Sequence, residues 1–171
     1  MWADEAGGNL VRVTDVEPFV TEADDFMSGA LTCYLERGGS VVLYYVPLEV
    51  ARAIARLKAM EEVIEAAQDF RDSIYELLIM MAPKLRGLGE SIEMVVIDGY
   101  NEKNATYSAS LYLNADGIKV KYTLIPSHAI FLAMLFNKPI YVTEEIVRIS
   151  QELESFSEEE DEFYDEFEDE F

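Results

Sequence analysis

The chain has 171 residues, of which 50% are hydrophobic and 27% charged, and its formal net charge is −21 at pH 7. A chain of this length folds as one domain and buries about two-thirds of the surface that its unfolded form exposes. The negative charge argues against a generally basic surface for nucleic acid, and no apolar run reaches the roughly 20 residues that span a membrane. We therefore expect a cytoplasmic protein with no membrane partner.

The first predicted elements follow an acidic N-terminal extension, residues 1–9, which lacks the layout of a secretory signal. Residues 10–17 alternate between apolar and polar side chains, which is typical of a half-buried strand. Residues 21–28 include two adjacent Asp residues and are interpreted as a polar connection. Cys33 is the only cysteine, so the sequence excludes a disulfide framework.

A pattern of strand, Pro and apolar helix occurs twice, once at residues 40–60 and again at residues 118–139. Pro47 and Pro126 lie 79 positions apart, and Gly38 and Gly117 share that offset. Two further strands precede each copy, and each Gly marks a hairpin turn. The sequence therefore predicts an α+β fold of duplicated β-β-β-α units, about residues 10–60 and 89–139, forming a mixed, mostly antiparallel sheet covered by helices. The alternative is two ordinary strand–helix junctions in one domain.

The segment between the two units is predicted to be helical. Residues 61–68 either continue the first helix or form a bend, and residues 69–85 carry apolar side chains at helical spacing. The GLGES segment, residues 87–91, is expected to break the chain. After the second unit comes a short strand, and Thr143 is expected to cap a final helix.

His128, the only histidine, lies at the start of the second buried helix. It is either an acid–base group exposed at the helix start or a half-buried polar residue bonded to the backbone. Pro126 suits the first helical turn, and Ser127 is expected to cap it. The repeat places Glu49 at the position that matches His128, so a pseudo-twofold relation between the units could allow the two side chains to approach each other.

Asp69, Asp72 and Glu76 would share one face of a helix at spacings of three and four residues. Nucleases that use divalent metals need such carboxylates, although a solvated helix face produces the same pattern. The sequence has no P-loop, GxSxG elbow or HExxH motif. Asp72 and Glu76 are therefore candidate ligands of Mg²⁺ or Mn²⁺.

The layout of residues 10–151 resembles the bifunctional nuclease domain family, long catalogued as a domain of unknown function. Residues 46–50 (VPLEV) and 70–74 (FRDSI) correspond to the family patterns Gly-Pro-Ala-Glu-Ala and Thr-His-Asp-Leu-Leu. Residues 125–129 (IPSHA) correspond to Arg-Pro-Ser-Asp-Ala, and residues 139–145 (PIYVTEE) to the closing block of the family pattern. The resemblance implies a compact α+β domain, often homo-oligomeric, that hydrolyses DNA and RNA.

The sequence departs from the family pattern at three polar positions. Arg71 stands in place of a His, Ile125 in place of an Arg, and His128 in place of an Asp. Glu49 and Asp72 keep the acids of the pattern. The resemblance implies a nuclease, and its candidate catalytic residues are His128, Glu49 and Asp72.

The acidic tail, residues 152–171, contains twelve of the 34 acids and no base. Phe163, Phe167 and Phe171 lie four positions apart and would share one face of a helix. The tail is either a solvated extension or a peptide that docks on a basic, apolar partner. The second interpretation gives an alternative function, a non-catalytic oligomeric interaction module. A third hypothesis is that the tail covers the substrate groove and keeps the enzyme inactive.

Overall fold

The computed structural model describes residue 6 and residues 8–168, with side chains described as far as residue 158. This part of the chain forms seven strands and six α-helices, together with a short 3₁₀ turn at Ala82–Lys84. The strands are β1 (Leu10–Ala23), β2 (Phe26–Leu35), β3 (Ser40–Val46), β4 (Ile92–Asn101), β5 (Thr106–Ala115), β6 (Ile118–Leu124) and β7 (Ile140–Thr143). The helices are α1 (Leu48–Leu57), α2 (Glu61–Ala66), α3 (Ile74–Met81), α4 (Arg86–Ser91), α5 (Pro126–Leu135) and α6 (Glu144–Glu168).

The seven strands form one sheet in the order β3-β2-β1-β7-β4-β5-β6. Neighbouring strands are antiparallel except for β4 and β7, which are parallel. Each half of the sheet is a meander of three strands that leads into a ten-residue helix, α1 or α5. The predicted α+β fold with two β-β-β-α units is therefore confirmed, and β7 joins the two units at the centre of the sheet.

The hairpin turns use residues that tolerate positive φ. Asp116 and Gly117 connect β5 to β6 with φ of 52° and 84°, as a two-residue turn between twisted strands requires. Asp24 and Asp25 connect β1 to β2 in the same way, with φ of 49° and 64°. The prediction of a polar connection over residues 21–28 was therefore wrong. Only two residues turn the chain, and both strands continue up to them.

The core lies on the face of the sheet that α1, α5 and the start of α6 cover. Its fully buried side chains include Ile54 of α1, Phe131 of α5 and Ile146 of α6. A smaller cluster around Val96 and Tyr112 lies on the opposite face. α1 and α5 pack on the same side of the sheet and contact each other.

The segment between the units differs from the prediction of one helix over residues 69–85. α3 begins only at Ile74, because the side chain of Ser73 accepts a hydrogen bond from the backbone N–H of Glu76, and the Glu76 carboxylate accepts one from the N–H of Ser73. Upstream, the Asp69 carboxylate accepts from the backbone N–H of Arg71 at 2.9 Å and so favours a turn. Asp69, Asp72 and Glu76 therefore do not share a helix face, and that expectation was wrong.

Two further expectations for this region are settled by the structure. The first helix ends at Leu57 and does not continue into residues 61–68, because Ala59 has a φ of 54° and α2 starts anew at Glu61. The GLGES segment does not break the chain, since it lies wholly within α4.

The caps of the last two helices were predicted with mixed success. Pro126 occupies the first turn of α5 as expected, but Ser127 does not cap the helix, because Ile125 holds that position. Thr143 does cap α6, since its hydroxyl accepts a hydrogen bond from the N–H of Ile146 at 3.3 Å. Among the described residues, no helix is long and apolar enough to cross a membrane.

Candidate cleft at the first turns of α1 and α3

An open cleft of about 280 Å³ lies where the first turn of α1 meets the loop that precedes α3. Pro47 starts α1 and places Glu49 in its first turn, while the capping box at Ser73 fixes the end of the loop. The cleft is lined by charged, polar and apolar side chains: Glu49, Arg52, Asp69, Arg71, Asp72, Ser73, Ile74 and Tyr75. The loop over residues 67–73 is thus the element that brings its acids to α1.

Arg52 forms the base of the cleft and anchors the loop. Its side chain is only 4% exposed, and its Nε lies 2.9 Å from Glu76 Oε1 in an ion pair. This contact is not a hydrogen bond, since the Nε–H of Arg52 has no hydrogen-bond partner among the described residues. The terminal nitrogens donate instead to the carbonyl oxygens of Ala67 at 3.2 Å and Arg71 at 3.3 Å. The buried guanidinium therefore ties the loop to α1 at two points, Ala67 and Arg71.

Glu76 is committed to the same network. Burial raises the pKa of its carboxyl, but the N–H of Ser73 and the charges of Arg56 and Arg52 outweigh burial and lower it. Glu76 therefore stays ionised and balances the charge of Arg52 in a site where an unpaired ion is costly. The sequence predicts Glu76 as a candidate metal ligand, and in the structure its two oxygens contact the N–H of Ser73 and the side chains of Arg52 and Arg56.

A second ion pair shapes the outer wall of the cleft. Arg71 donates to both oxygens of Asp69, from Nε at 3.1 Å and from Nη2 at 3.0 Å. The side-chain and backbone hydrogen bonds from Arg71 lower the pKa of Asp69 to about 2. The guanidinium also lies 5.3 Å from the centre of the Phe70 ring. Arg71 is thus a fixed cation at the rim of the cleft.

Tyr75 connects the cleft to His128. Its ring centre lies 5.6 Å from that of His128 and 5.1 Å from that of Phe131, which it meets edge-on. Burial raises the pKa of the Tyr75 hydroxyl, and the negative charge of Glu49 raises it further. The hydroxyl therefore stays protonated at neutral pH and can donate a hydrogen bond.

The structure distributes the predicted site residues over three places. Glu49 and Asp72 line the cleft, His128 stands next to the cleft behind Tyr75, and Glu76 lies beneath the cleft. Of the three candidate catalytic residues, the cleft itself therefore brings together Glu49 and Asp72.

The side chains of the three tail phenylalanines lie outside the described part of the structure. α6 is described as far as Glu168, but side chains are described only to residue 158, so those of Phe163 and Phe167 lie outside the described residues. Phe171 lies outside them altogether. The expected docking role of these three residues stays a prediction.

Glu49 and Asp72 give the cleft carboxylate oxygens, the type of donor atom that a hard divalent cation takes. No group of three or more His, Cys, Asp or Glu side chains that could hold a metal occurs among the described residues. Mg²⁺, however, usually keeps several waters and takes only one or two carboxylates together with oxygens of a substrate phosphate. Glu49 and Asp72 supply two such carboxylates on the wall of one cleft.

Sequence reasoning missed three components of the cleft: the buried Arg52, the ring of Tyr75 and the Asp69–Arg71 pair. Arg52 did leave a signal, because it stands between Ala51 and Ala53 in a helix whose neighbouring residues are buried. A long cation within such an apolar stretch needs a partner. The partner, Glu76, follows 24 positions later and is recognisable only in the folded chain.

Comparisons with known proteins place the chain in a family. None of the curated proteins that were compared matches the chain. The family described as the bifunctional nuclease domain matches residues 45–154, from the end of β3 into α6, and this range includes Glu49, Asp72 and His128. The match covers more than half of the sequence, and the chain therefore belongs to the bifunctional nuclease domain family.

Proposed function

We propose that the protein hydrolyses phosphodiester bonds of DNA or RNA at the cleft, with the help of Mg²⁺ or Mn²⁺. One observation carries the proposal: Glu49 and Asp72, which come from different elements, line the same cleft beside the cation of Arg71. Family membership supports the reaction class. Carboxylates that hold a metal and a cation that meets phosphate are the components that such hydrolysis requires.

Each side chain has a role that follows from its position. Glu49 and Asp72 would hold the metal, which when bound supplies a Lewis acid for a phosphate oxygen. Arg71, fixed by Asp69, offers donors to the phosphate, and the protonated hydroxyl of Tyr75 adds another. The His128 ring contacts that of Tyr75, and His128 is the candidate acid–base group beside the cleft.

The test is cleavage of end-labelled single-stranded DNA and RNA at low salt by the full chain. We expect cleavage with Mg²⁺ or Mn²⁺ and none with EDTA. Protein purified to a constant ratio of activity to mass excludes a contaminating nuclease. A folded chain that cleaves neither substrate with either metal would overturn the proposal.

A specific observation favours a second candidate function, the docking of a basic partner on α6. Leu153 and Phe156 are 43% and 66% exposed on this helix, where acids surround them. An exposed apolar pair among carboxylates suits a partner that combines Lys or Arg with an apolar groove or face. We commit to such a basic, amphipathic partner.

The probe for docking is a basic amphipathic peptide of Lys and Leu, followed by fluorescence anisotropy. The full chain is expected to bind it, and the double variant Leu153→Ser with Phe156→Ser is expected to bind at least about tenfold more weakly, as the loss of two apolar anchors implies. Ser157→Ala is the control on the same helix. Equal binding of an oligolysine without Leu would show attraction by charge alone and contradict docking.

A further inference from the structure

α3 is an apolar helix without a single buried residue. Its eight residues include six with large aliphatic or thioether side chains, yet none of the eight is fully buried. Ile74, Leu77 and Met81 follow at spacings of three and four residues and share one side of the helix. Such a stripe normally faces a core.

Four side chains of α3 and that of Phe70, in the loop that precedes it, are apolar and exposed. The exposed fractions are 96% for Phe70, 61% for Ile74, 47% for Leu77, 69% for Met80 and 38% for Met81. We call these five residues the α3 surface. Side chains of this size expose on the order of 500 Å² together, which is near the upper end for the largest patch of a monomer.

The charge around the α3 surface differs from that of the chain as a whole. Residues 69–90 contain three bases, Arg71, Lys84 and Arg86, against four acids, a net charge of −1, whereas the whole chain has a net charge of −21. Glu76 is moreover neutralised internally by Arg52. Two copies of this acidic chain can therefore approach here without the repulsion that opposes contact elsewhere.

We propose that the α3 surface is the contact between two copies of this chain. A twofold contact places the same patch on both subunits, so an apolar surface of nearly neutral charge is complementary to itself. A standard interface buries about 800 Å² per partner, which the patch supplies with a modest polar rim. A basic partner would instead be expected to select one of the acidic surfaces of the chain.

The second copy would also border the cleft. Ile74 belongs to the α3 surface and lines the cleft, and Phe70 stacks beside Arg71 at the rim. A subunit seated on the α3 surface therefore narrows the opening of the cleft and shields Phe70 from water. The proposed contact does not depend on hydrolysis, and its test measures association alone.

The test is the mass of the full chain in solution from about 1 to about 100 µM by sedimentation equilibrium, these concentrations being on the order of those at which moderate interfaces associate. The wild-type chain is expected to form a dimer. Met80→Glu should weaken dimerisation at least about tenfold, and Met80→Lys should also weaken it, because the apolar contact is lost with either charge. Ile118→Glu is the matched control, since Ile118 is 67% exposed at the start of β6.

A second variant tests the symmetry of the contact. Leu77 lies at the middle of α3, so Leu77→Cys is expected to form a disulfide between two subunits under mild oxidation, whereas Ile118→Cys is not. Cys33 is buried and does not interfere. A wild-type chain that stays monomeric would overturn the proposal, as would a dimer that Met80→Glu leaves intact. If the wild-type chain stays monomeric, the α3 surface would instead be expected to bind a different protein.

Discussion

At the scale of single residues, the cleft depends on a buried ion pair. The Arg52 side chain is 4% exposed and that of Glu76 is 15% exposed, so the removal of the Glu76 charge leaves a buried Arg52 charge without compensation. Arg56 pairs with the same Glu76 oxygen at 3.1 Å but is 47% exposed. Exposed pairs contribute little, because water already solvates their charges.

We predict that Glu76→Gln lowers the free energy of unfolding by about 3 kcal/mol, since it unpairs the Arg52 charge. Arg56→Gln, the control, should change it by less than about 1 kcal/mol. Urea unfolding at neutral pH measures both values. Equal losses in the two variants would contradict the assigned role of Arg52.

The same pair predicts a pH dependence of stability. The pKa of Glu76 is lowered in the folded protein, so its contribution is present above the unfolded pKa of about 4.3 and is lost as the pH falls through the folded pKa. The stability difference between wild type and Glu76→Gln should therefore stay constant from about pH 7 to about pH 5 and shrink below about pH 4. A difference that grows in acid would refute this assignment.

Cys33 gives a prediction about reactivity. Its side chain is fully buried, and burial raises the pKa of the thiol to about 12. The thiolate is the reactive form, so the native chain should resist a thiol reagent at about pH 8 and react with one equivalent once unfolded in urea. Rapid labelling of the native chain would show that the strand that carries Cys33 opens readily.

At the scale of elements, α4 shows why the segment between the units was hard to predict. Gly87 and Gly89 suggest an interruption of regular secondary structure, but both lie within α4. The space around the two glycines differs in the folded protein. A Cβ at Gly87 meets nothing within 4 Å, whereas a Cβ at Gly89 would lie 2.5 Å from the Phe136 ring. Gly89 therefore permits the close approach of α4 to the end of α5.

We predict opposite effects for Ala at these two positions. Gly89→Ala should lower the free energy of unfolding by about 1–3 kcal/mol through the clash with Phe136. Gly87→Ala should leave it unchanged or raise it by up to about 1 kcal/mol, because Ala favours the helix. Thermal or urea unfolding distinguishes the two, and a loss of stability in Gly87→Ala would contradict the account of α4.

The sequence predicts strands and buried helices better than the elements that form the cleft. The alternation of apolar and polar residues and the repeated Pro and Gly positions suffice to predict the meanders and the helices that follow them. The apolar pattern does so because it reflects directly which side chains are buried. The start of α3 depends instead on local hydrogen bonds, in which the side chains of Asp69 and Ser73 accept from the backbone N–H groups of Arg71 and Glu76. Such side chains compete with helical carbonyls for backbone N–H groups. The cleft arises from long-range contacts of Arg52, which no local pattern contains.

At the scale of the whole molecule, charge works against a nucleic acid substrate. Removal of residues 151–171 removes twelve acids and changes the net charge from −21 to −9. If the protein cleaves nucleic acid, a chain that ends at Ser150 should cleave it faster at low salt, because less repulsion opposes the encounter. The advantage should fall at about 0.5 M salt, where charges are screened. A slower truncated chain would indicate that the tail assists the reaction.

The measurement that tests the central claim most directly is the rate of metal-dependent cleavage by three full-length variants beside wild type. Asp72→Asn and Glu49→Gln each remove one carboxylate from the cleft, and Glu62→Gln removes the same charge from an exposed position on α2. We predict a loss of at least about 100-fold in each cleft variant and less than about twofold in Glu62→Gln, with all three folded. Equal rates in all four proteins would place the chemistry elsewhere and contradict the assignment of the cleft.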